Sequence, residues 1–389
     1  MADSIAHTPS MLNTYVMEFR FSDNEISRRR SRTLDLAGER DCSSVLAFGE
    51  NRSGTAVTYL TQWPVTRMAA CNLAPDSCEL WVAFHNHTPY ARRVASADQI
   101  HDFTDNYVAD LFARIAHGER VGTLGVVPAA VGKFAAGINA TLISLDKEHA
   151  SLRMIKSAEE IEALRLGAMA SDIGARALID ACRVGATDWE LLAAAKNAYT
   201  RVGARDHICY LTVTDMHVPD RDVPGQFPEG RTVTDTSVIT FELSAAVAHE
   251  YPGQILRSLV MSEPTDTYVE LSRIAEDCKA KIKAAIRNGV TTTELIAISN
   301  VIEDSGFTTT DDLFHGFGMG YLEPIATSIS RVPNHSPNLN LAEGMAIVVQ
   351  PNVTLPNHSA GVQSGELVVV GKNEVIEPHE LPTGLIRIP

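Results

Sequence analysis

The segment GMAIVVQPNV (344–353) reads as a buried strand that delivers Gln350 where a reactive strand would deliver an acid. An amide can hydrogen-bond a substrate, but it neither takes up a proton near neutrality nor supplies the anionic field that a hard cation needs. Other residues have more obvious chemistry. His217, in TVTDMHVPDR, carries an imidazole that titrates near neutrality. Between Asp215 and Asp220 it suits either a proton-transfer loop or a solvated turn. Glu242, inside the apolar VITFELSA, needs a partner if buried, and Arg257 in GQILRS is one; that pair is equally well structural. His315 sits between Phe314 and Gly316 and serves either a site or a hydrogen-bonded core. Arg92 and Arg93, in YARRVA, read as surface charges.

These residues must be positioned by two kinds of layer. Across residues 16–145, helical spacing in FSDNEISRRRSRTLDLAGE alternates with the strand-like runs CSSVLAFG, ELWVAFHN and GTLGVVP, which predicts an α/β domain over 1–150. Ser157, with Glu160 three residues on, opens a long amphipathic helix, so the second domain is set at 151–389. Within it, GATDWELLAA (185–194) and GVTTTELIAI (289–298) superimpose without gaps. In each, a glycine ends one helix and Thr-x-x-Glu caps the next. Two helix-pair-plus-sheet halves imply an internal pseudo-twofold and a cleft where the halves meet.

The formal net charge of −15 argues against nucleic acid or an anionic membrane as partner. The N-terminus has no apolar signal core, and no apolar run approaches ~18 residues, which predicts neither signal peptide nor span. Six cysteines without a C-x-x-C spacing indicate no zinc knuckle and no disulfide framework, and suggest a reduced, cytoplasmic protein.

The chain resembles the pita-bread family of creatinase, aminopeptidase P, prolidase and methionine aminopeptidase. LRMIKSAEEIEALR is similar to its entry helix, HGFGMGYLEP to its His-Gly segment, GMAIVVQPNVTLP and GVQSGELVVVG to its last two ligand strands, and WVAFHNHTPYARR to the small domain of creatinase-type members. The resemblance implies an α/β N-terminal domain followed by an α+β pita-bread domain.

Carried over one position at a time, the resemblance puts the metallopeptidases' two aspartates on Glu242 and Gln254, the histidine on His315, the first glutamate on Gln350 and the last on Ser364 or Gly365, with Glu366 alongside. It implies no bound metal or other cofactor. It implies instead a metal-independent, creatinase-like hydrolase or lyase that breaks a C–N or related bond of a small polar metabolite. In that reading His217, Glu242 and His315 are catalytic, and Gln254, Gln350, Arg257 and Glu366 hold the substrate. The same resemblance implies a homodimer in which the small domain of one subunit caps the other's pocket, with Arg92 and Arg93 binding the substrate there through a carboxylate. A non-catalytic homologue that binds a peptide or small molecule is the alternative. An Xaa-Pro metallopeptidase stands third because of the ligand losses.

Overall fold

The computed structural model describes residues 19–389 apart from Arg52 and His249. It divides into two compact units, one built on Arg20–Arg153 and the other on Met154–Val247 and Tyr251–Pro389.

The first unit runs α1 (Asp23–Gly38), β1 (Ser44–Gly49), α2 (Thr55–Thr61), β2 (Ala69–Ala74), β3 (Ser77–Val82), α3 (Thr88–Val94), β4 (Gln99–Asp102), α4 (Tyr107–Leu111), β5 (Arg120–Leu124), α5 (Ala129–Gly137), β6 (Thr141–Ser144) and α6 (Asp146–Leu152). Its six-stranded sheet has the order β4-β3-β2-β1-β5-β6. The central β1 is antiparallel to β2 and parallel to β5. Val45, Leu46 and Ala47 of β1 are fully buried, as expected for a strand covered on both faces.

The second unit contains α7 (Ala158–Ala181), α8 (Asp188–Arg201), β7 (Arg205–Asp215), β8 (Ser237–Val247), β9 (Tyr251–Val260), α9 (Asp266–Ala285), α10 (Thr292–Ile298) and α11 (Asn300–Asp304). There follow β10 (Thr308–Thr309), β11 (Phe314–Gly318), β12 (Gly320–Ala326), β13 (Ala346–Val349), β14 (Val353–Thr354), β15 (Gly365–Val370), β16 (Val375–Ile376) and β17 (Leu385–Arg387). The main sheet has the path β12-β11-β13-β15-β9-β8-β7, with β16 on β15 and β17 on β9. The β15–β9 pairing joins its two halves through only Gly365↔Leu256 and Glu366↔Ile255.

The repeat is present in atomic detail. Thr187–Glu190 and Thr291–Glu294 both form complete capping boxes, as does Ser157–Glu160 at the entry of α7. Gly185 and Gly289 lie at φ +88° and +87°, where a side chain would be strained. The Gly185 amide donates to the Val233 carbonyl and the Gly289 amide to the Leu341 carbonyl, each at 2.8 Å. Thr187 and Thr291 each bridge to an extended residue, Thr232 and Asn340. Each half thus uses the same local code to fold a helix pair back onto its strands.

Candidate functional site

Strand alternation sends Glu242 of β8 and Gln254 of β9 to one face of the sheet, since Glu242 is opposite Leu256 and Gln254 opposite Ser244. Gln350, immediately after β13, reaches the same place. The Gln254 Nε2 donates to Glu242 Oε1 at 2.7 Å and to Gln350 Oε1 at 3.1 Å. Both amide protons are then used, and the buried Gln254 Oε1 has no hydrogen-bond partner among the described residues.

Burial pushes the Glu242 carboxyl up to about 8, with the charge of Asp311 adding to the effect. At neutral pH Glu242 is therefore mainly a neutral acid that can donate as well as accept.

His315, on β11, is fully buried. Its ring stacks on Tyr321 with centroids 3.8 Å apart, and Phe317 meets it edge-on at 5.3 Å. Desolvation lowers its pKa to about 4, while the Gly316 carbonyl and the neighbouring Gln350 act the other way. The contact from Nδ1 to the Gly316 carbonyl, 3.2 Å, requires the proton on Nδ1. The lone pair is left on Nε2, which has no geometric hydrogen-bond partner among the described residues. Two buried acceptors, Gln254 Oε1 and His315 Nε2, thus stand open in one neighbourhood, and both are neighbours of Gln350.

Glu366 and Arg257 are not with them. Gly365 pairs with Leu256 and shares the face of Gln254, so Glu366 points to the opposite side. There it takes Arg257 Nη2 at 2.6 Å and Lys283 Nζ at 2.5 Å. Burial alone would raise its pKa, but Arg257, Lys279 and Lys283 outweigh it and hold the carboxyl at about 2. Arg257 also donates to the carbonyls of Pro382, Leu256, Gly365 and Leu381. The expected substrate-binding role of both residues is corrected to a structural ion pair, and the partner of Arg257 is Glu366 rather than Glu242.

Of the two residues to which the resemblance assigns the last ligand position, one shares the face of Gln254. Gly365 faces the site, and a Cβ there would lie 2.7 Å from Gln350 Cβ and 2.9 Å from Leu256 Cδ1, so the site has no room for a side chain at that position. Ser364 faces away and donates its hydroxyl to Glu276.

His217 is exposed in the turn after β7, where its backbone amide donates to Asp215 Oδ1 at 2.7 Å. Asp215 pairs with Ser237, five residues along β8 from Glu242 (roughly 17 Å at strand spacing). His217 therefore stands apart from the group around Glu242, contrary to the expected general acid–base role. Arg92 and Arg93 are exposed on α3, with the Arg93 guanidinium 5.3 Å from the Tyr90 ring centre.

Sequence reasoning missed three residues near the site. Asp311 accepts from Asn352 Nδ2 at 2.8 Å and Gln363 Nε2 at 3.2 Å, and its carboxyl is raised by burial despite those bonds. Tyr321 covers His315 and donates to Asp312 Oδ2 at 3.1 Å. His207, at the bulge in β7, lies edge-on to Phe317 at 5.9 Å. The only sequence signal was the acid pair Asp311-Asp312 just before β11.

The model of metallopeptidase family M24 matches residues 162–372, more than half of the chain. The chain belongs to metallopeptidase family M24. An Xaa-Pro dipeptidase of Pyrococcus furiosus is 24% identical over 225 residues, 57% of this chain and 62% of that protein. An Xaa-Pro dipeptidase of Pyrococcus horikoshii is 23% identical over 225 residues, 57% of this chain and 61% of that protein. The chain thus spans less than two thirds of the length of these relatives. The crystal structure of the prolidase from Pyrococcus horikoshii OT3 superimposes with a TM-score of 0.75 at 18% identity, covering 91% of this chain and 99% of that one. That last likeness shows the pita-bread fold.

These findings overturn the expectation of a metal-independent, creatinase-like enzyme acting on a small polar metabolite. The family is one of metallopeptidases, and the relatives named above are dipeptidases.

An M24 member raises the question of metal. Among the described residues no group of three or more His, Cys, Asp or Glu is placed to hold an ion. The donor set at the positions that the resemblance assigns is one raised carboxyl, one imidazole, two amides that bond each other and one glycine. Hard divalent ions need anionic oxygens to offset dehydration, so these residues do not fit a two-ion centre.

Proposed function

We propose that the second unit recognises short peptides of the Xaa-Pro class through their free amino end. Family membership and the dipeptidase relatives supply the ligand class. The observation that carries the reading is the pair of open buried acceptors, Gln254 Oε1 and His315 Nε2. A buried polar atom without a partner is costly, and a peptide's amino group brings the donors that these two lack. Glu242, as a neutral acid, adds a donor for a peptide carbonyl without burying a charge. No two-ion step belongs to this reading.

The test is calorimetric titration with Ala-Pro and N-acetyl-Ala-Pro, alongside an assay for released proline. Saturable binding of Ala-Pro, at least about tenfold weaker for the acetylated peptide, is expected. Equal binding of the two, or none of either, overturns the reading. Proline release that depends on added Mn²⁺ would return the chain to its relatives' two-ion chemistry.

The homodimer capped by Arg92 and Arg93 remains a proposal from the resemblance, tested by light scattering at micromolar concentration. A reducing, cytoplasmic setting is supported by six cysteines that are all buried and free of disulfides. No helix among the described residues is long and apolar enough to cross a membrane.

A further inference from the structure

The first unit contains a cavity of about 650 Å³, within the size range of small-molecule sites. It lies where the parallel strands β1 and β5 end: Phe48 and Gly49 line it from β1, and Gly125 and Val126 from beyond β5. After β1 the chain builds β2, β3 and β4 on one side of the sheet, and after β5 it builds β6 on the other. The cavity therefore sits outside the carboxyl ends of the strands at the point where strand order reverses, where open α/β sheets bind ligands.

The backbone is shaped around it. The loop after β1 is closed by reciprocal bonds between Glu50 and Ser53, 2.7 and 2.8 Å. Gly54, at φ +139°, comes so close to Gly49 that a Cβ would lie 2.6 Å from the Gly49 Cα. Both the conformation and the close approach require glycine there.

A second observation points to a ligand. His149 of α6 lines the cavity at 2% exposure, and its Nε2 has no hydrogen-bond partner among the described residues. Burial, helped by the charge of Arg153, pushes its imidazole down to about 3, so the ring is neutral. Aromatic rings supply the remaining chemistry: Phe48, Phe103 and Tyr107 line the same space, the last two with centroids 4.4 Å apart. The charged lining residues, Glu50, Asp146 and Arg153, are of mixed sign and favour no strongly charged guest.

We propose that this cavity binds a neutral, planar heteroaromatic molecule of nucleoside size, its ring against Phe48, Phe103 and Tyr107 and a polar ring atom on His149 Nε2. The test uses adenosine, inosine, nicotinamide and indole as probes, read by saturation-transfer NMR and by melting temperature on the full chain. At least one probe is expected to bind saturably with a dissociation constant below about 1 mM. Val126→Trp, at a rim position that is 89% exposed, should block the cavity without disturbing the core. His149→Phe keeps a ring and removes the hydrogen bond, and each variant should weaken binding at least about tenfold. Gln254→Ala, in the other unit, should leave it unchanged. No saturable binding by any probe, or equal binding in wild type and Val126→Trp, overturns the proposal.

Discussion

Gln254 is the residue on which the site turns, because its one amide nitrogen bonds both Glu242 and Gln350 and its oxygen has no hydrogen-bond partner among the described residues. Gln254→Ala removes the open acceptor and releases Glu242 and Gln350, and Ala-Pro binding should weaken at least about tenfold, the scale of one buried hydrogen bond. Glu242 makes a prediction of its own. The ordinary carboxyl value is 4.5 and the folded value about 8, so between these pH values the folded chain binds more protons than the unfolded one. The contribution of Glu242 is complete below about 4.5 and is lost as pH rises through about 8. Chemical denaturation of wild type and Glu242→Gln across that window should show the variant gaining relative stability as pH rises, with a constant difference below it. A difference that does not change with pH would mean that Glu242 is not held neutral. At this scale motif resemblance pointed to Glu242, Gln254, His315 and Gln350, and the fold brings Glu242 and Gln350 within hydrogen-bonding distance of Gln254. The resemblance did not reveal Asp311 or Tyr321, although one belongs to an acid pair just before β11 and the other to the HGFGMGYLEP segment, because which side chains approach His315 and Gln363 is set by the folded chain.

At the scale of elements, the helix caps were legible because Thr-x-x-Glu after glycine is a local code. Its two copies proved structurally equivalent down to the bonds of Gly185 and Gly289. Thr187→Ala and Thr291→Ala should each cost about 1 kcal/mol in denaturant unfolding, and by similar amounts, since the two caps do the same work. The last ligand strand was not legible. A register left open by one residue moves every side chain to the other face, so Glu366 was expected in the site when β15 sends it to α9. There Arg257 ties β9 to β15 and to the segment ending at Pro382. Arg257→Ala leaves the Glu366 carboxylate without its closest guanidinium and should destabilise the chain by about 3–5 kcal/mol. A loss below about 1 kcal/mol would show that Lys279 and Lys283 suffice to hold Glu366.

For the molecule as a whole, the alternation of helical and strand-like runs was enough to read an α/β domain, while the pita-bread domain after it was read from motif resemblance. What the chain does was not legible in the same way. Family resemblance led first to creatinase-like chemistry, and the match to M24 and its dipeptidases corrected it. The proposed function has Glu242, Gln254, His315 and Gln350 of the second unit holding a short peptide by its amino end, on neutral hydrogen-bonding groups. Calorimetric titration of Ala-Pro into the purified chain in chelator-treated buffer tests it most directly. One saturable site per chain is expected, weakened at least about tenfold by N-acetylation of the peptide. Binding that appears only when Mn²⁺ is added, or that is indifferent to acetylation, would contradict it.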